Sequence, residues 1–346
     1  MPPDSLTSSS QSDALLLRRA EDWRGIGTLA ELTAATLYQI SSREGVDFAT
    51  ALLYDRVIRA PEHASFISAI DTAQPKPSEW NQQITVALLP AAFYKEKPRS
   101  GADGRLVREE ALRLGFRCET IPLLSIGTLA ENSAALFDWL ARHQEEDVVL
   151  VSLCKSGSDV KFALKSPDAK GLFNNVFAWI NICGTLSGSP LAQRMLGSKR
   201  WSLATWLYFK GSRHHLQFLR ELIPQAGGPL DFELKLPISM RLISLVGFPL
   251  KEHLTNAFMR RCHATIAQYG PNDGGVLVHE VCSLPGSIYP IWGADHYLRP
   301  EERSRQLISA TLDYLAGVYP SRTASIPRNS SQTSNRANVL GVISRE

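Results

Sequence analysis

A chain of 346 residues, 44% hydrophobic and 21% charged, has the make-up of a soluble globular protein with one large domain or two ordinary ones. A net charge of +3 without a basic tract argues against nucleic acid as a partner, and no run of ~18 apolar residues is present to enter a membrane. Five cysteines (Cys118, Cys154, Cys183, Cys262 and Cys282) at irregular spacing, with no C-x-x-C pair, argue against a disulfide framework and a zinc site; reduced thiols and a cytoplasmic setting fit them best.

The opening MPPDSLTSSSQSD is polar and acidic, unlike a signal peptide, and residues 1–13 read as disordered. From Ala14 the segments ALLLRRAEDW, TLAELTAATLYQIS and VDFATALLYDRVI space their apolar residues three and four apart, and Pro61 opens a further helical piece. Residues 14–78 therefore form a helical extension ending in a proline-containing linker. A domain over 79–320 follows. ITVALLP is a strand from Ile84, DGRLVREEALRLGF a helix, CETIPLL a strand, and TLAENSAALFDWLARHQ a helix with Thr128 and Glu131 as capping box. DVVLVSL is the next strand, NVFAWINIC another, then RLISLVGF, the helix HLTNAFMRRCHATIAQYG, the strand SIYPIWG and a closing helix. Strands alternating with helices imply an α/β fold with a doubly wound, mostly parallel sheet. Residues 191–237, rich in large apolar side chains (WSLATWLYF, HHLQFLRELIP), interrupt the alternation and have the size and position of a helical cap. An extra packed layer is the plainer reading. Residues 321–346 read as a disordered tail.

Three stretches carry chemistry. In LVSLCKSG, Cys154 stands between Ser152 and Ser156 where a buried strand turns into a helix, the layout of a nucleophile elbow. A buried structural thiol is the plainer reading, and Ser156 is a rival nucleophile already entering the helix. In GPNDGGV, Asp273 follows a helix; it could orient a base or only hold a turn. In GADHY, His296 follows the last strand, 23 positions after Asp273, with Asp295 as a competing carboxylate. Nucleophile, acid and histidine arrive in the order that a doubly wound hydrolase uses, at the sheet edge where such folds bind ligands.

With INICGTLSGSPLA added, these stretches resemble an α/β-hydrolase of the lipase/esterase kind over residues 84–319. Cysteine replaces the usual nucleophilic serine, and serines replace the elbow glycines. The resemblance implies Cys154 as nucleophile, Asp273 as acid and His296 as base. It also implies an oxyanion hole from the backbone N–H of Lys155 and of Ala91 or Ala92, because Pro90 has none. The Lys155 side chain is expected in solvent or on a nearby carboxylate. The implied function is an acyl hydrolase acting through a Cys-His-Asp triad and an acyl-enzyme on a fairly apolar ester, thioester or lactone, without cofactor or metal. An acyltransferase of the same fold and a catalytically lapsed binding protein are the alternatives.

Overall fold

The computed structural model describes residues 4–197 and 214–318. β1 (Ile84–Leu89), β2 (Arg117–Thr120), β3 (Asp147–Leu153), β4 (Val176–Ile182), β5 (Arg241–Phe248) and β6 (Ser287–Trp292) form one sheet. Every neighbouring pair is parallel, in the order β2-β1-β3-β4-β5-β6. The chain starts at β1, winds outward to β2, then returns past β1 to β3. The order reverses between β1 and β3, so the loops leaving those two strands open a crevice at the carboxyl edge.

Alternation along the strands splits the core into two layers. Val86, Leu88, Val149 and Val151 face one side, where they pack with α4 (Pro61–Thr72), α5 (Arg105–Arg113) and α12 (Glu301–Val318). Ala87, Leu89, Val148 and Leu150 face the other, against α6 (Leu129–Arg142), α7 (Lys155–Leu164) and α8 (Ala169–Leu172). Both faces are apolar because both are covered, as expected of a parallel sheet. β1 begins at Ile84, the first residue of its apolar run.

The amino-terminal helices α1 (Asp4–Glu21), α2 (Ala34–Glu44) and α3 (Val46–Arg59) pack on the far end of the sheet. There Leu37, Phe48, Leu52, Leu53 and Val57 share a core with Val246, Phe248 and Ile288. The extension is thus part of one hydrophobic body. The expectation of disorder through residue 13 does not hold from Asp4 onward, where α1 already runs. Asp13 anchors it: its carboxylate accepts from His253 Nε2 at 2.9 Å and Trp292 Nε1 at 3.0 Å.

Three smaller differences have local causes. TLAELTAATLYQIS is split into a short 3-10 turn at Leu29–Glu31 and α2, because Thr33 caps a fresh helix by accepting from Thr36 N–H. CETIPLL pairs through Thr120 and the Ile121 N–H, which donates to Leu88 O at 2.9 Å; the next N–H on that side, of Leu123, turns back to Ile121 O at 2.8 Å and ends the ladder. The helix expected from His253 starts as α11 (Ala257–Ile266), where the Asn256 side chain accepts from Phe258 and Met259 N–H. The capping box of Thr128 and Glu131 is present at α6.

Within the 191–237 insertion, α9 (Pro190–Gly197) and α10 (His214–Glu221) are helical, and the stretch WSLATWLYF lies outside the described residues. Phe218, Leu219 and Leu222 pack with Leu129, Ala192 and Leu230. The Glu221 carboxylate ties the insertion to the start of α6 by accepting from Leu129 N–H at 2.7 Å. The tail 321–346 also lies outside the described residues.

Candidate active site

Cys154 is the single residue between β3 and α7. Its φ of 51° and ψ of −116° put a side-chain-bearing residue in a conformation that glycine alone adopts without strain. The surroundings enforce it. Cys154 N–H donates to Ile182 O at 3.0 Å, and its carbonyl accepts from Gly157 and Thr185 N–H at 3.1 Å. Ser156 Oγ accepts from Leu153 N–H at 2.8 Å and donates to Leu89 O at 2.8 Å, tying the turn to β1. Ser156 is fully buried and both its hydrogen-bonding functions are taken, which removes it as a rival nucleophile. The Lys155 side chain, expected in solvent or on a carboxylate, is buried and takes the second option. Its Nζ donates to Gly127 O at 2.8 Å and Asp159 Oδ1 at 2.5 Å. Burial lifts the Asp159 carboxyl to about 6, against the pull of the Lys155 charge.

Asp273 and His296 come together as their spacing predicts. His296 Nδ1 lies 2.9 Å from Asp273 Oδ2, and His296 N–H donates to Asp273 O at 2.9 Å. Asp273 Oδ1 accepts from Gly275 and Val276 N–H, each at 2.8 Å, so the fully buried carboxylate has partners on both oxygens. Every residue of NDGG has a physical task. Asn272 holds the turn by accepting from Gly274 N–H, and Gly274 takes φ +95°. A Cβ on Gly275 would sit 2.5 Å from His296 Nδ1, so glycine there makes room for the ring. The competing Asp295 instead braces the following turn, accepting from Tyr297 N–H at 3.0 Å and from the Arg299 guanidinium at 2.9 Å.

Burial disfavours a charged His296 ring, but the Asp273 carboxylate and the Cys154 sulfur outweigh it. Both act through charge and hydrogen bonding and hold the ring well above the ordinary histidine range. The carboxylate fixes the ring by its Nδ1 edge, and the Cys154 sulfur is among the groups that favour its charged form.

The oxyanion candidates separate. Lys155 opens α7, so its N–H has no intrahelical acceptor. Ala91 is corrected: its N–H is committed to Ala102 O at 2.8 Å, because the loop after β1 folds back on residues 98–102. Ala92 remains, beside Phe93, which takes φ 66° and stacks edge-on against Phe218 of the insertion at 5.7 Å. Ala92, Phe93, Ile126, Phe162, Met195 and Leu196 line the same apolar cluster as α10.

One neighbour was not singled out by sequence. Cys183, at the end of β4, has its Sγ within 4.8 Å of donor atoms of both Asp273 and His296. Burial pushes its thiol well above the ordinary cysteine value, and the Asp273 charge adds to this. The available signal was positional: like Cys154, Cys183 directly follows a central strand.

No family model and no curated protein matches this chain. Among solved structures it is similar to a metagenomic carboxyl esterase at 20% identity and a TM-score of 0.52, covering 71% of this chain and 80% of the other. It is also similar to the Bacillus licheniformis lipase BlEst2 in mature form (20% identity, TM-score 0.45, 70% and 93% covered). A third is Est1E of Butyrivibrio proteoclasticus with bound ferulic acid (13%, 0.45, 68% and 91%). With the parallel sheet and its covering helices, the first of these likenesses identifies the architecture: this chain has the α/β-hydrolase fold.

Proposed function

We propose that the chain is an acyl hydrolase acting on ester or thioester bonds through Cys154, His296 and Asp273. The observation that carries the reading is the strained Cys154 at a strand-to-helix turn, in one fold with a histidine whose Nδ1 is 2.9 Å from a buried, fully bonded carboxylate. His296 takes the thiol proton, and the thiolate attacks the acyl carbonyl carbon. Asp273 keeps the ring oriented and stabilises its charge. The negative oxygen of the tetrahedral intermediate faces the N–H groups of Lys155 and Ala92. The intermediate collapses as His296 protonates the departing alkoxide or thiolate. Water, giving a proton to His296, then attacks the acyl carbonyl carbon; the C–S bond breaks, the carboxylic acid leaves and His296 returns the proton to the Cys154 sulfur. The apolar cluster beside Ala92 and Phe93 supplies an acyl subsite, with α9 and α10 of the insertion packed over it.

Sulfur sets the substrate class. A thiolate leaves the tetrahedral intermediate more easily than an alkoxide, so attack on a plain ester mostly reverts. Attack on a thioester or a strained lactone partitions more evenly. Activated acyl compounds are thus the preferred substrates. The test compares wild type, Cys154→Ser and Cys154→Ala on an alkyl ester and an acyl thioester. Loss of ~10³-fold or more in the alanine variant is expected, with the wild type favouring the thioester. Unchanged turnover in the alanine variant removes Cys154 from the reaction. Silence of the folded wild type toward both substrates and toward thiol-directed acyl probes makes the protein a binding module.

A further inference from the structure

Cys183 stands directly across from Cys154. Strands β3 and β4 are in register through Leu153 opposite Ile182, so the next opposed pair is Cys154 and Cys183. The ladder continues past the strand ends: Cys154 N–H donates to Ile182 O and Cys154 O accepts from Thr185 N–H, bracketing Cys183 and Gly184. Neighbouring strands run ~4.8 Å apart, within the ~4.4–6.8 Å between Cα atoms that a disulfide spans. Both residues hold positive φ, 51° and 47°. Cys183 Sγ lies within 4.8 Å of His296 and Asp273 donor atoms, and the Cys154 sulfur is among the groups that favour the charged form of the same ring. The two thiols differ in access, Cys154 being partly exposed and Cys183 buried.

From this juxtaposition we propose that Cys154 and Cys183 form a reversible disulfide that takes the nucleophile out of use under oxidation by a hydroperoxide. The exposed sulfur reacts first. The Cys154 thiolate attacks the hydroperoxide; the O–O bond breaks, one oxygen joins sulfur as a sulfenic acid, and the peroxide is reduced to an alcohol or water. Cys183 Sγ then attacks the sulfenyl sulfur. The S–S bond forms, the S–O bond breaks, and the hydroxide leaves with the Cys183 proton as water, His296 being placed to carry that proton. A burial-neutralised thiol is a slow attacker in bulk, but here it competes only with a second peroxide molecule. A dithiol reductant reverses the bond by exchange.

The bond rests on the two thiols and not on the proposed hydrolysis, so it is read by mass and not by turnover. The full chain is treated with hydrogen peroxide, its remaining thiols are alkylated, and it is digested without reduction. The expected product is a peptide pair joined through Cys154 and Cys183 that dithiothreitol separates. In Cys183→Ser, and in Cys183→Ala should the first variant fold poorly, the same treatment should carry Cys154 to the sulfinic acid, which dithiothreitol does not reverse. Wild-type Cys154 found as sulfinic acid with Cys183 reduced, Cys154 joined to Cys262, or Cys154 left unoxidised would each overturn the proposal.

Discussion

Ser156→Ala separates structure from chemistry in one variant. The Ser156 hydroxyl joins two buried backbone groups, Leu153 N–H and Leu89 O, at 2.8 Å each. Alanine fits the space but bonds neither. Orphaning a buried N–H costs ~1–3 kcal/mol, and leaving a carbonyl under-bonded adds up to ~1 kcal/mol. Alanine returns ~0.5 kcal/mol through its helix propensity in the first turn of α7. The expected loss is ~0.5–3.5 kcal/mol, read as a lower urea midpoint at unchanged m-value. Activity per folded molecule should fall by less than ~10-fold, because the hydroxyl touches no reacting atom and Cys154 remains held by Ile182, Gly157 and Thr185. A variant that stays fully stable yet loses all turnover would refute this reasoning, since it would make Ser156 the nucleophile.

Gly275→Ala should cut kcat/KM by ~100-fold or more with little change in the circular dichroism spectrum, since the added Cβ 2.5 Å from His296 Nδ1 displaces the ring. His296, held well above the ordinary histidine value once its charged neighbours outweigh burial, should titrate above pH 6.5 when followed by NMR of its ring protons. Its folded-state value is the higher one, so its contribution to stability is complete below the unfolded value and is lost as pH rises through the folded value. Lys155→Met should cost ~3–5 kcal/mol near pH 8 by leaving the Asp159 carboxylate buried without its cation. The cost should be smaller near pH 5, where a carboxyl already at about 6 beside its lysine takes up a proton; a cost independent of pH in denaturant titrations would contradict the pairing. Asp13→Ala should loosen α1, seen as faster amide exchange there, because it removes both the His253 and the Trp292 bond.

The strands were legible because their apolar runs are short and bounded by turns, and β1 begins at the residue where its run begins. Asp273 and His296 were legible because chain order in a doubly wound sheet determines which loops share an edge. What escaped was decided by through-space partners. Nothing in PAAF tells that Ala91 N–H is taken by Ala102 O, a bond made by a loop folding back. K-x-x-x-D on α7 signalled a possible pair, but its burial depends on Gly127 and Asn132 brought in by α6. The Ser-rich start read as disordered because composition is blind to Asp13 reaching across to β6.

Serines stand where the resemblance would place elbow glycines, and the turn shows which residues take over the glycines' task. Small residues are needed beside a nucleophile because backbone comes close on both sides. Here Ser152 faces inward, where its Oγ accepts from Trp179 Nε1 at 2.8 Å. Ser156 uses its hydroxyl to fasten the turn. The close approach falls one residue later. A Cβ on Gly157 would lie 2.7 Å from Asn181 Oδ1 and 3.1 Å from Gly184 Cα, and one on Gly184 would lie 1.9 Å from the same Asn181 oxygen. The glycine requirement is therefore met at Gly157 and Gly184, where β3 and β4 release their chains together. Serines at the usual positions add hydrogen bonds that hold Cys154 in its strained conformation.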